Sequence, residues 1–178
     1  MKLESYSSEQ SPEIIKLFTD VFSDSEGQEE GRVIGGLVTE LISTTDSKQL
    51  LGYISILDGK IIGCIFFSRL TLPSGKIAFI LSPVAVSSHE QGKGFGQQLI
   101  SFGIQKLKSL GVELVFTYGD PNFYSKVGFM KIGEDIVKAP KTLSYLEGWL
   151  AQSLNNESIT SEVGAAICVG ALNKQEYW

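Results

Sequence analysis

Histidine occurs once, at position 89, and cysteine only twice, at 64 and 168, in 178 residues. No Cys/His spacing in the chain matches a zinc site, so no metal is expected. Both cysteines lie inside apolar runs and read as buried free thiols. A basic excess is also lacking. Lys and Arg total 15 against 20 Asp and Glu, for a net charge of −5. That balance argues against a nucleic-acid partner and is compatible with a cationic substrate. Long apolar runs are missing too. The longest, "IAFILSPVAV" at 77–86, is about half of what a membrane helix needs, so no membrane partner is expected. The opening "MKLESYSSEQ" has no signal-type apolar core, which with the two thiols points to the cytoplasm. Repeats and low-complexity tracts are absent. What remains is an ordinary globular composition, 43% hydrophobic and 20% charged, of a length that suits one domain over residues 1–178.

The pattern along the chain alternates between two periods. "LESYS" suits a short first strand. Ser11 and Pro12 suit a helix start, Ser as N-cap and Pro at the first helical position. Ile14, Ile15, Leu17, Phe18, Val21 and Phe22 then keep helical spacing. A second helix is expected from about Glu29, with Gly35 and Gly36 weakening it or allowing something to approach closely. "LLGYISIL" and "IIGCIFFSRLTL" are strand-like, and the "DG" at 58–59 between them is a hairpin signal. "KIAFILSPVAV" is apolar on both faces and reads as a central strand. A long helix follows from about Gly94 to Leu110, with Gly111 at its C-terminal stop. "VELVFTY" is the next strand, "DPNFYSKVG" a turn with one short helix, and "FMKIG" a further strand. Residues 134–160 read as loop or as a helix around Tyr145–Leu154, and "GAAICVGAL" near the end as a last strand. The core is expected over about 1–133, with 134–178 as a tail. Hairpins beside a strand–helix–strand crossover imply an α/β fold with a mixed, mostly antiparallel sheet and helices on both faces.

"HEQGKGFGQQL", at 89–99, carries the chemistry. A phosphate-binding P-loop would need G-x-x-x-x-G-K-[ST], which is absent, and a dinucleotide fingerprint would need glycine at 97, which is Gln. The pattern that fits is Q-x-x-G-x-G, as Gln91, Gly94 and Gly96, placed directly after a strand and before a helix. A helix N-terminus leaves about four N–H groups unpaired and carries about half a positive charge. Glycines remove the Cβ atoms that would keep a phosphate away, and Gln91 and Lys93 add donors. The loop therefore reads as a pyrophosphate cradle, against the plainer reading of a glycine turn that starts a helix.

"SPVAVSSHEQGKGFGQQLI" resembles the cofactor-binding motif of the GNAT superfamily of N-acetyltransferases. "GDPNFYSKVGF", at 119–129, resembles that superfamily's second signature, and the order and spacing of the two match as well. The resemblance implies the acyl-CoA N-acyltransferase fold, in which the strand at 80–86 splays from that at 112–118. Pro83, which cannot donate to a ladder, supports a break there. It implies acetyl-CoA as co-substrate. Val84, Ala85 and Val86 would line its pantetheine arm. Gln91, Gly92, Lys93, Gly94, Phe95, Gly96 and Gln97 would hold its phosphates, with Asn122 and Tyr124 near pantetheine and sulfur. Tyr124 would be the catalytic acid, protonating the thiolate; its plainer role is packing beside Phe123 and Phe129.

The implied reaction is direct transfer of an acetyl group to a primary amine, on a small molecule or a peptide. The alternative is a non-catalytic acyl-CoA-binding module. Glu29, Glu30 and Asp120 are candidates for the acceptor side, together with Asp24 and Glu26, or are simply capping and solvated charges. The strand residues Phe79–Ser82 offer no carboxylate as general base. His89 reads as a surface residue near the phosphates. A homodimer is compatible with this reading.

Overall fold

The computed structural model describes residues 1–178. A mixed sheet of seven strands has the order β1-β2-β3-β4-β5-β7-β6. The strands are β1 (Lys2–Ser5), β2 (Leu50–Leu57), β3 (Lys60–Thr71), β4 (Ile77–Val86), β5 (Leu114–Tyr118), β6 (Met130–Lys131) and β7 (Trp149–Ser153). The helices are α1 (Ser11–Glu26), α2 (Gln28–Thr44), α3 (Phe95–Ser109) and the single turn α4 (Pro121–Tyr124). The chain forms two compact units, Met1–Phe67 with Pro83–Gly103, and Ser68–Ser82 with Ile104–Trp178.

In the first unit β1 pairs antiparallel with β2, from Lys2↔Ile56 to Ser5↔Tyr53. β2 and β3 meet at Asp58 and Gly59, with φ of 50° and 77°. Positive φ at both central residues is the turn that matches strand twist. Alternate β3 residues face opposite ways. Phe66 lies against Phe18 of α1, with ring centroids 6.1 Å apart. Ile65 and Phe67 come within 2.6–2.9 Å of where a Cβ on Gly103 of α3 would lie. Helices therefore cover both faces of that strand. α1 and α2 cross closely because Gly31 and Gly35 have no side chain. A Cβ there would fall 1.9 Å from Ser23 Oγ and 2.3 Å from Thr19 Oγ1. Gly36, the other glycine expected to allow close approach, faces open space. Ser11 is not the N-cap. It lies in the first turn, and its hydroxyl donates to Ser8 O at 2.7 Å.

In the second unit β4 and β5 pair in parallel, from Ala78↔Leu114 to Leu81↔Thr117. The register ends just before Ser82-Pro83, where the break was expected. β7 runs antiparallel to β5, from Leu114↔Ser153 to Tyr118↔Trp149, and β6 pairs on its far side. The tail thus supplies a strand at 149–153 where a helix around Tyr145–Leu154 was one expectation. Trp149, Leu150 and Ala151 are all buried. An internal strand of this kind shows no alternation to read. The expected last strand over "GAAICVGAL" reduces to isolated bridges at Ala165 and Ile167, followed by a 3₁₀ turn at Gly170–Leu172. Trp149 stacks on Phe116 at 5.2 Å and meets Trp178 edge-on at 6.0 Å. No helix is long and apolar enough to cross a membrane.

Candidate active site

The glycine loop leaves β4 through a 3₁₀ turn at Ser88–Glu90. Ser87 N–H donates to Ile62 O at 2.7 Å, and the Ser88 hydroxyl donates to Asp24 Oδ2 at 2.6 Å. These bonds fix the loop's entry against β3 and α1. Gly92 and Gly94 then take φ of +77° and +81°. Only glycine adopts that conformation freely, so the sharp entry into α3 needs both. The first i→i−4 bond of α3 runs from Gln98 N–H to Gly94 O at 3.1 Å. The N–H groups of Phe95, Gly96 and Gln97 precede it and have no partner within the helix. A Cβ on Gly92 would meet nothing within 4 Å, and one on Gly94 only Gln98 Nε2 at 3.9 Å. The helix end is therefore uncrowded at both glycines.

Two predicted donors also have local partners. Gln91 Nε2 donates to Val86 O at 3.0 Å, and Lys93 Nζ pairs with Glu90 at 2.8 Å. Gln91 sits five residues after Val86 and bends back to brace the strand end. Lys93 and Glu90 are three residues apart, close enough to pair. The Val86 carbonyl accepts a side-chain hydrogen bond as well. Val84 and Val86 are half-buried and Ala85 buried; His89 is exposed.

α4 is started by Asp120, whose carboxylate accepts from Asn122 N–H at 2.9 Å, with Pro121 next. The chain turns out at Gly128, in the left-handed region at φ 95°. This turn fixes Tyr124. Its ring meets Phe123 and Phe129 edge-on at 5.0 and 5.7 Å. It lies over Gly119, where a Cβ would fall 2.7 Å from Cε2. Burial pushes the phenol up to about 12; the nearby Thr117 side chain opposes the rise and the Asp120 charge adds to it. Tyr124 is thus a neutral hydrogen-bond donor at any physiological pH, suited to act as an acid and unsuited to act as a base.

The candidate acceptor carboxylates are engaged where they stand. Asp120 caps α4, and Asp24 accepts from Ser88. Glu29 is an exposed carboxylate held below its usual range by the hydrogen bond and charge of Arg32, one turn on. Glu30, at the start of α2, also has an interaction. Asn122 is exposed. The residue the sequence did not single out is Thr117. It is fully buried, and its hydroxyl donates to Leu81 O at 2.9 Å. Its only signal was a polar side chain within the apolar run "LVFTY", and threonine is an ordinary strand residue.

Residues 48–131, which include the glycine loop and α4, match the family model of the acetyltransferase (GNAT) domain. The uncharacterized N-acetyltransferase YjhQ of Escherichia coli (strain K12) is 31% identical over 130 residues, which cover 70% of this chain and 72% of that protein. Among solved structures, the GNAT family N-acetyltransferase YhbS of Escherichia coli, in complex with CoA, aligns with a TM-score of 0.82. The identity is 22%, over 97% of this chain and 92% of that one. A GNAT family acetyltransferase from Brucella melitensis in complex with acetyl-CoA aligns at a TM-score of 0.71. There the identity is 21%, over 96% of this chain and 97% of that one.

Proposed function

The chain belongs to the GNAT family of N-acetyltransferases, and on that premise we propose how its own residues move an acetyl group from acetyl-CoA to an amine. The N–H groups at the start of α3 hold the phosphates, with Gly92 and Gly94 keeping the approach clear. The observation that carries this is the empty space where those two Cβ atoms would lie. The strand residues Val84–Val86 line the pantetheine arm. Acetyl-CoA, when bound, supplies the thioester. Tyr124 Oη supplies the proton that the departing sulfur takes up.

The acceptor is a primary amine, on a small molecule or a peptide. An amine of pKa ~10 must lose a proton first, at on the order of 4 kcal/mol near pH 7. β4 between Phe79 and Ser82 has no acidic side chain, so we assign that proton to water. The free buried thiols Cys64 and Cys168 favour a reducing, cytoplasmic setting. Thiol release from acetyl-CoA across a panel of small amines, polyamines, aminoglycosides and peptides tests the reading. Acetylated product from any of them supports it. CoA binding with no turnover on any would leave a binding module instead.

A further inference from the structure

The spacing of Tyr124, Gly128 and Phe129 is that of a helix end that locks itself. Phe129 N–H donates to Tyr124 O at 3.2 Å, and Gly128 N–H donates to Ser125 O at 3.2 Å. With Gly128 at φ 95°, these are the two bonds of a Schellman cap, and the Tyr124–Phe129 ring contact at 5.7 Å is its apolar clasp. The last four carbonyls of a helix have no partner inside it. The cap takes two of them, Tyr124 O and Ser125 O. A third, Val127 O, is reached from another element: Gln152 Nε2 of β7 donates to it at 3.0 Å. Gln152 sits opposite Val115 of β5, on a strand paired along both sides. Its amide also lies across Gly128, where a Cβ would fall 3.0 Å from Gln152 Oε1. The turn that carries Tyr124 is therefore tied to the sheet at Val127 by the Gln152 side chain.

We propose that Gln152 is the positioning residue of the acid: it fixes the Val127 carbonyl and, through the closed cap, the backbone from which the Tyr124 phenol projects. This rests on the reading of Tyr124 as the acid. Gln152 moves no proton itself. Tyr124 and Val127 are three residues apart on one turn, so a shift at Val127 reaches Tyr124 through the Phe129 N–H bond and the ring contact. Ser125, Lys126 and Gly128 are exposed, so the turn has solvent along one side and takes its hold from the other. That hold comes from a strand inside the sheet, the kind of support that keeps a reacting group in place. An apolar side chain at 152 would fill similar space and leave the Val127 carbonyl without its donor.

Gln152→Leu removes the donor at similar size. It should lower kcat roughly tenfold, with the KM for acetyl-CoA unchanged. In a Tyr124→Phe background it should cost no further rate, because no phenol is left to aim. Gln152→Glu keeps the shape and tests the same bond should the leucine variant not fold. Its carboxylate can only accept, whereas its protonated form can donate to Val127 O. The ratio of its kcat to that of wild type should therefore rise as pH falls from about 8 to about 5. A Gln152→Leu kcat within about threefold of wild type, equal rate losses in both backgrounds, or a flat ratio across that pH range would overturn the role of Gln152 and leave Tyr124 as the acid. An unchanged kcat in Tyr124→Phe alone would overturn both.

Discussion

Gly119 and Tyr124 lie so close that a Cβ on Gly119 would sit 2.7 Å from Tyr124 Cε2. That is inside any real carbon contact, so Gly119→Ala must push the ring away. Overpacking of this kind costs roughly 1–3 kcal/mol. Moving a reacting group by about 1 Å can cost up to 100-fold in rate. We expect kcat to fall by at least tenfold, with CoA affinity by calorimetry unchanged. An unaltered kcat would show that the phenol's position does not matter.

Tyr124→Phe removes the hydroxyl and keeps the edge-on contacts with Phe123 and Phe129. General acid catalysis contributes about 100- to 10,000-fold. A loss of kcat in that range is expected, with acetyl-CoA binding nearly unchanged. A kcat within about threefold of wild type would leave Tyr124 as packing.

The high phenol pKa changes the expected pH behaviour. With the phenol held up to about 12, wild-type kcat should show no alkaline limb from Tyr124 below about pH 11. Transfer to a thiolate of pKa ~8.5 is then uphill by roughly 5 kcal/mol unless the phenolate is stabilised as it forms. The same shift acts on stability. The unfolded phenol titrates near 10, so between about pH 10 and pH 12 the folded state holds a proton that the unfolded state has lost. The stabilisation is complete below pH 10 and disappears as pH rises to about 12, with a loss on the order of 2 kcal/mol. Urea midpoints at about pH 9 and about pH 11.5 should diverge more for wild type than for Tyr124→Phe. Parallel midpoints would place the phenol near its ordinary value.

Gly94→Val puts a branched side chain at φ +81°, beside the proposed phosphate site at the start of α3. The backbone strain should cost roughly 1–2 kcal/mol, small enough for the fold to form. Blocking the N–H groups of Phe95–Gln97 should weaken CoA binding by more than tenfold. Calorimetry with unchanged affinity would remove the loop from the site.

How far the sequence could be read depended on whether a segment's signal was local. The hairpin at Leu50–Thr71 was legible because "DG" and two apolar runs lie together. The turn into α3 was legible because glycines sit between a strand and a helix. What the sequence did not show is that Gln91 and Lys93 have local partners, Val86 O and Glu90, only a few residues away. The tail was hard to read because β7 is buried between β5 and β6, so "WLAQS" alternates with nothing. Thr117 was silent because its hydrogen-bond partner, Leu81 O, lies across the parallel ladder and 36 residues away.

Trp178 is the tail's anchor, and its loss should show in stability. It is 5% exposed and stacks on Tyr118 at 5.9 Å, with Trp149 edge-on at 6.0 Å. Its indole N–H donates to Leu172 O at 2.8 Å, and its carbonyl accepts from Ser144 N–H at 3.3 Å. The Tyr118 hydroxyl in turn accepts from Tyr145 N–H at 2.7 Å, so Trp178 and Tyr118 together tie the 144–145 loop and the 170–172 turn to the end of β5. Trp178→Ala removes the stacking partner and leaves Leu172 O without its donor. Large-to-small substitution of a buried Trp costs roughly 3–5 kcal/mol. The Tm should fall by several degrees, and intrinsic fluorescence should then come from Trp149 alone. Trp178→Phe keeps a ring but loses the N–H, and should lose only about 1–3 kcal/mol. If Trp178→Ala melts within a degree of wild type, the tail is held by the Thr71–Ile167 bridge and its neighbours, and the terminal indole is a bystander.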